Sequence, residues 1–244
     1  MNESIDFTVA WTKVGIAAGF LACSVYPLLI TVPMPMTITV LLAAAFGPLL
    51  SIACLGLYHF ISAHRKTVSL QIAVVFTVIA GAIVNTMLVV QITVREFWRL
   101  DGAAVEADST ELLDTAYLAA DRVQLGLDIS WDFYVAVGTV LFAINMLRHP
   151  RLGRIIGVLG VVIGALLLGF NIWTFPAPPD EAGSIDLGPL LGLWYLVVTI
   201  MLARSVGWLK RHEKEGAWTP GVERGGNTIH LDRVESVEDE GKLP

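Results

Sequence analysis

The chain has 244 residues, of which 55% are hydrophobic and 16% are charged, and its mean hydropathy is +0.68. Apolar stretches of about 18 residues or more recur along it, which excludes a soluble globular protein, because a soluble core interrupts its apolar runs with polar positions. The net charge of −6 arises mainly from acids in one loop and in the C-terminal segment. No basic patch with interleaved aromatic residues is present, so we expect no nucleic-acid partner.

Six apolar segments are long enough for helices that cross a bilayer, which requires roughly 20 residues each. The sequence therefore predicts an all-α, polytopic membrane protein embedded in a lipid bilayer. Residues 1–13 precede a six-helix domain at 14–208, and the polar segment 209–244 lacks an apolar period and is expected to be a disordered tail. The predicted helices are Val14–Val32, Thr37–Ser62, Val68–Thr93, Ile129–Leu147, Ile155–Phe175 and Leu187–Ala203.

Lys and Arg residues are distributed unequally between the connections. They occur between helices 2 and 3, between helices 4 and 5, and after helix 6. The loop after helix 1 is uncharged, and the charged residues of the loop after helix 5 are all acidic. Because short loops rich in Lys and Arg stay in the cytoplasm, we expect both termini there.

The connection after helix 3 is the only long one, and part of it has helical character. Asp108 followed by Glu111 is typical of a helix start with an acidic residue at the third position. Apolar residues from Leu113 to Leu127 then recur at helical spacing. We predict an amphipathic helix at about 108–127, which either lies on the outer membrane surface or runs directly into helix 4.

Helix 5 carries a stripe of glycines spaced four, three and four residues apart, which places them on one helical face. Small residues let membrane helices approach closely, so such a face holds helices together in lipid. This face contacts either another helix of the same chain or a second copy or partner subunit, and the sequence leaves both open. The glycines are Gly153, Gly157, Gly160 and Gly164.

Polar residues at the outer ends of helices 4 to 6 form the best candidate site. Asp128 and Asp132 are one helical turn apart and share a face. Asp186, followed by Gly188 and Pro189, is typical of a capped helix start. Neighbouring carboxylates bind cations or divide acid and base roles, although acids also occur at helix starts for structural reasons alone. The candidate residues are Asp128, Trp131, Asp132, Asn171 and Asp186.

Three polar residues lie deeper in the predicted helices. Asn85 and Asn145 are expected to form interhelical hydrogen bonds, with ligand contact as the alternative. His59 has no second histidine facing it at the same depth, and no Cys/His cluster is present, so we expect no metal and no cofactor. The middle third of each predicted helix contains no Asp, Glu, Lys or Arg, which argues against proton pumping and voltage sensing.

Several short motifs between residues 128 and 208 follow the pattern of a known group of proteins. They are Trp131-Asp132-Phe133, Gly138, the run from Arg148 to Gly157, the run from Phe175 to Pro179, the run from Asp186 to Leu190, and Leu193-Trp194. In these motifs the chain resembles uncharacterised bacterial six-helix integral membrane proteins of the domain-of-unknown-function type. The resemblance implies a bacterial inner membrane and six helices, and it implies no activity.

Three functions remain open from the sequence. The lack of buried charges and the glycine packing face favour a non-enzymatic protein, either an accessory subunit or a binder of a small apolar or lipid-like ligand. One alternative is a membrane enzyme with an outward-facing carboxylate site at Asp128 and Asp132. The other is a small-solute transporter, in which Pro27 and Pro48 kink helices 1 and 2 to form a gate.

Overall fold

The computed structural model describes residues 3–102 and 110–214, and within these ranges it contains helices, turns and loops but no strand. Six helices are present there, and all six are long and apolar enough to cross a membrane. The predicted cap at Asp108 and the tail after residue 214 lie outside the described residues. The helices are α1 (Glu3–Thr31), α2 (Met36–Ser62), α3 (Val68–Gly102), α4 (Thr110–Met146), α5 (Gly153–Thr174) and α6 (Gly188–Lys214).

Each helix packs against the next one in the sequence, and α6 returns to α1, so the helices follow one another around the bundle. The two ends of the bundle differ in charge. The basic end contains the α2–α3 and α4–α5 connections, with the exposed Arg148 and Arg151. The acidic end contains the α5–α6 connection, with the exposed Asp180 and Glu181.

At the basic end, two helices are longer than their apolar stretches predicted. α1 begins at Glu3 instead of Val14, and Val9 and Thr12 in this additional part are buried. α6 continues to Lys214, and Trp208 in its additional part is 9% exposed. Packing against neighbouring helices supports these turns, which is why the hydropathy of the segments alone did not indicate them.

α3 and α4 are the longest helices and extend furthest at the acidic end. Their 35 and 37 residues correspond to about 52 Å and 55 Å, whereas the hydrocarbon core is about 30 Å thick. Trp98 of α3 contacts Tyr117 of α4 in this extension, with ring centroids 4.8 Å apart. α4 is one continuous helix from Thr110 to Met146, so residues 110–127 of the segment predicted as an amphipathic helix belong to the same helix as the predicted fourth span.

Candidate functional site

A buried hydrogen bond joins α4 to α5 near the acidic end. The Nδ2 atom of Asn171 donates to Oδ2 of Asp132 across 2.8 Å and to the carbonyl oxygen of Leu167 across 3.0 Å. Asp132 is 7% exposed, and Asn171 is fully buried. The structure therefore brings into contact two residues that the sequence placed in one polar cluster.

Asn171 reaches α4 because glycines on the same face of α5 let the two helices approach closely. A Cβ atom on Gly164 would lie 2.9 Å from the carbonyl oxygen of Ala136. A Cβ atom on Gly157 would lie equally close, at 2.9 Å, to the carbonyl oxygen of Ala143. Side chains at these positions would push α5 away from α4 and separate the amide from the carboxylate.

The third buried glycine of this stripe contacts α6. A Cβ atom on Gly160 would lie 2.5 Å from the indole ring of Trp194, whose Nε1 donates to the carbonyl oxygen of Ile156 across 2.9 Å. Gly153 begins α5 with a φ of 74° and has no atom within 4 Å of its Cβ position. Since the other three glycines are buried within the chain, a contact between this face and a second copy would require α5 to leave its neighbours.

Three further carboxylates lie in the neighbourhood of Asp132. Asp128 lies one turn earlier on α4, and Asp180 and Asp186 lie in the α5–α6 connection; all three interact electrostatically with Asp132. The Oδ1 atom of Asp186 also accepts a hydrogen bond of 2.7 Å from the backbone nitrogen of Gly188, at the predicted start of α6. We call Asp128, Asp132, Asp180 and Asp186 the acidic cluster.

The acidic cluster has no counter-charge among the residues whose side chains the structure describes. Within 6–29, 31–99 and 113–211, no Lys, Arg or His forms an ion pair with any of its members. The ion pair present at this end joins Arg99 to Glu96 on α3, at 2.6 Å and in exposed positions. The negative charge of the cluster is therefore not balanced by the described part of the chain.

Two buried polar atoms beside the acidic cluster lack a hydrogen-bond partner within the described ranges, Oδ1 of Asn171 and Nε1 of Trp131. The Nδ2 atom of Asn171 already donates two hydrogen bonds. Its carboxamide oxygen is still able to accept one. Leaving such an atom unsatisfied costs roughly 1–3 kcal/mol. A ligand with N–H groups would satisfy the Asn171 oxygen.

An aromatic side chain from α1 completes the site. Tyr26 interacts electrostatically with all four carboxylates and packs against Phe46, with ring centroids 5.8 Å apart. The sequence analysis did not select Tyr26, Asp180 or the buried Gln124. Gln124 was detectable because it lies one turn before Asp128, whereas the other two reach the site through long-range packing that no local pattern indicates.

The two deeper asparagines form hydrogen bonds between helices, and their described partners are not members of the acidic cluster. Oδ1 of Asn145 accepts a hydrogen bond of 2.6 Å from Thr67, and its Nδ2 donates to Ser69 across 3.1 Å. With its amide nitrogen facing α2, Asn85 donates to two carbonyl oxygens of that helix across 3.0 and 2.8 Å. These contacts tie α3 to α4 and to α2.

His59 also lies outside the acidic cluster, near the basic end of α2. Its ring stacks on Trp11 of α1, with centroids 5.4 Å apart and an interplanar angle of 15°. Phe7 and Tyr58 contact the same ring edge-on, at 5.5 and 5.4 Å. In this position His59 packs α1 against α2.

A polar contact inside the bundle was missing from the sequence analysis. The hydroxyl groups of Thr139 and Tyr195 are 2.9 Å apart, which connects α4 to α6. Cys54 and Thr77 interact with the same tyrosine hydroxyl, so side chains from four helices meet there. Because Cys, Thr and Tyr are ordinary members of apolar helices, their types and spacing gave no signal for this contact.

A second buried ionisable group lies at the basic end, in the α4–α5 connection. His149 is 2% exposed, and its Nδ1 accepts a hydrogen bond of 3.2 Å from the backbone nitrogen of Arg151. Burial, together with the nearby His64, lowers the pKa of His149 from 6.5 to about 4. The imidazole is therefore neutral at pH 7.

Among the described residues, no group of three or more His, Cys, Asp or Glu side chains could hold a metal ion, and the acidic cluster is not such a group. No family model, curated protein or solved structure matches the chain.

Proposed function

We propose that this multi-pass membrane protein binds a small organic cation with N–H groups at the acidic cluster. The observation that carries the proposal is Asp132, a carboxylate that is 7% exposed and has no described cation beside it. A charge removed from water requires a counter-charge or several hydrogen bonds, and the described contact from Asn171 is a single bond. An ammonium group would supply the charge and additional donors.

The carboxamide of Asn171 favours an ammonium or guanidinium group over a cation without N–H groups. Its oxygen is buried and unpaired, and it belongs to the group that already contacts Asp132. One ammonium group carries three N–H donors, enough to reach a carboxylate oxygen and an amide oxygen together. A quaternary ammonium would balance the charge but leave the Asn171 oxygen unsatisfied.

The position of Asp132 near the acidic end supports a protected site that a cation would enter from that end. Fourteen residues separate Asp132 from Met146, the last residue of α4, which corresponds to about 21 Å along the helix. Asp180 and Asp186 are exposed at the same end of the bundle and would attract a cation from solution. With both termini in the bacterial cytoplasm, which is part of the proposal, the ligand would enter from the outer side.

This ligand differs from the apolar one that composition favoured, because an apolar molecule would neither balance the charge of Asp132 nor satisfy the oxygen of Asn171.

A second candidate function is catalysis on the bound amine. Asp128 and Asp132 are one turn apart on α4 and interact electrostatically, an arrangement that suits general acid–base chemistry. Conversion of a bound amine, followed by NMR of the small molecule, would distinguish catalysis from binding alone.

The test is calorimetric titration of the full-length protein, purified in lipid nanodiscs, at constant ionic strength. Butylammonium is expected to bind, whereas tetramethylammonium and butanol are expected to bind at least about tenfold more weakly, a difference of about 1.4 kcal/mol. Asp132→Asn should weaken butylammonium binding roughly thirtyfold, corresponding to about 2 kcal/mol for a buried charge pair. Asp114→Asn, at an exposed position on the same helix, is the matched control and should bind like the wild type. Absence of butylammonium binding to the wild type would refute the proposal.

A further inference from the structure

The acidic cluster is divided by depth. Asp132 is 7% exposed and hydrogen-bonded to Asn171, whereas Asp180 and Asp186 are exposed and Asp128 is half-buried. Each member interacts electrostatically with Asp132, and no described cation is paired with any of them. One ammonium group at Asp132 would therefore leave the three outer carboxylates unbalanced.

We infer that the ligand of this site is an α,ω-diamine, with one ammonium group at Asp132 and Asn171 and the second among Asp128, Asp180 and Asp186. This inference rests on the proposed function and specifies its ligand class. The buried and unpaired Oδ1 of Asn171 marks the inner position, because it requires a donor that the described chain does not provide.

The spacing of the carboxylates sets the length of the diamine. Asp128 and Asp132 are four residues apart on α4, which corresponds to a rise of about 6 Å. A four-carbon spacer also places two primary amines about 6 Å apart when extended, slightly more than one helical turn. 1,4-Diaminobutane therefore places one ammonium group at the level of each carboxylate, whereas 1,2-diaminoethane holds its two amines closer together than one helical turn.

Aromatic rings at the site suit the methylene spacer. Tyr26 interacts electrostatically with all four carboxylates, which places its side chain in the neighbourhood of the acidic cluster. Trp131, adjacent to Asp132, is partly buried and packs against the apolar core. A butylene chain is apolar between two charged ends, and aromatic faces accept both methylenes and the adjoining ammonium groups.

The experiment compares 1,4-diaminobutane, 1,2-diaminoethane and butylammonium on the wild-type protein in nanodiscs, by calorimetric titration at constant ionic strength. 1,4-Diaminobutane should bind about tenfold more tightly than butylammonium, because it gains a second, partly exposed ion-pair position. In the Asp128→Asn variant, the ratio of the affinity for 1,4-diaminobutane to that for butylammonium should fall at least threefold. The Asp114→Asn variant should retain the wild-type ratio. The thermal unfolding temperature of each variant without ligand verifies that it is folded, and the comparison on wild type does not depend on the variants.

Equal binding of 1,4-diaminobutane and butylammonium would overturn the diamine inference and leave the proposed function standing. No binding of either would overturn both. Equal binding of the two diamines would also contradict the inference, because the spacer length would then have no effect. If MgCl₂ displaced 1,4-diaminobutane as effectively as another diamine did at the same concentration, general charge screening would explain the binding. The inference would then be wrong.

Discussion

Gly15 of α1 and Gly56 of α2 face each other so closely that a Cβ atom on Gly15 would lie 2.5 Å from the Cα of Gly56. The carbonyl oxygen of Ala53 would lie 3.2 Å from the same Cβ atom, and a Cβ atom on Gly56 would lie 3.0 Å from the carbonyl oxygen of Trp11. The backbones of two helices occupy this space, so a methyl group cannot be accommodated by turning a side chain. In lipid, such close approach is a main source of helix association.

Gly15→Ala is therefore expected to destabilise the protein by about 1–3 kcal/mol, the range for overpacking of a tight interior. The measurement is thermal unfolding of the purified protein in a mild detergent, followed by circular dichroism. Gly192→Ala is the matched control, because its Cβ position on α6 has no atom within 4 Å. Equal loss of stability in the two variants would contradict close α1–α2 packing as the cause.

Asp132→Asn should make the protein without ligand more stable, although the same variant should lose ligand binding. The amide has nearly the shape of the carboxylate but carries no charge, so burial costs less. We expect a gain of about 1 kcal/mol, within the range found for stabilising substitutions at functional sites. Thermal unfolding without amines measures the gain, and the exposed Asp114→Asn should change stability by less than about 0.5 kcal/mol. If Asp132→Asn destabilised the protein and Asp114→Asn did not, the Asp132 carboxylate would be held by a stabilising contact.

Much of the fold followed from local sequence. α2 was predicted at Thr37–Ser62 and spans Met36–Ser62, because a long apolar run between charged loops leaves few alternatives in a membrane. Asp186 at the start of α6 followed from its position before Gly188 and Pro189, since capping depends on adjacent residues. Such features depend on residues that are close together along the chain, so a single sequence is enough to predict them.

Contacts between distant segments could not be predicted in the same way. The glycine stripe of helix 5 was evident, but only the structure shows that Gly157 and Gly164 face α4, whereas Gly160 lies against both α6 and α4. Tyr26 is more than one hundred residues from Asp132 and joins the site because α1 packs beside it. These relationships depend on the order of helices around the bundle, which hydropathy does not encode.

Thr67→Val should destabilise the basic end by removing the hydrogen bonds of the Thr67 hydroxyl group, which also lies 3.1 Å from the hydroxyl of Ser69. The hydroxyl of Thr67 accepts from the backbone nitrogen of Leu70 at the start of α3 and donates to Asn145 of α4 across 2.6 Å. Loss of a cap costs about 1 kcal/mol, and an interhelical bond in membrane proteins contributes about 0.6 kcal/mol. We therefore expect a loss of about 1–2 kcal/mol in thermal unfolding.

Thr86→Val is the matched control for this substitution. Its hydroxyl is exposed and donates to the carbonyl oxygen of Ala82 within the same helix, so it joins no second helix. The control should change stability by less than about 0.5 kcal/mol. A comparable loss in both variants would show that the exchange of threonine for valine itself, and not the Thr67–Asn145 bond, sets the effect.

His149 should make the stability of the protein depend on pH in the acidic range. Its ring is enclosed by Phe60, His64 and Trp208, with centroids 4.9, 5.3 and 5.6 Å away. Burial among these rings lowers the pKa of His149 to about 4, whereas in the unfolded chain it returns to about 6.5. Between these values the unfolded state binds more protons than the folded state, so the free energy of unfolding decreases as the pH falls from about 6.5 to about 4.

The contribution of His149 to this decrease is at most about 3 kcal/mol, and above pH 6.5 it is constant. His149→Gln cannot be protonated, so its unfolding free energy, measured by denaturant titration in detergent at several values between pH 4 and 7, should decline less steeply than that of the wild type. His64→Gln removes the neighbouring imidazole, whose electrostatic interaction also lowers the pKa of His149, but leaves His149 buried, and its profile should therefore lie between the other two. Parallel profiles for wild type and His149→Gln would show that protonation of this histidine is not coupled to unfolding.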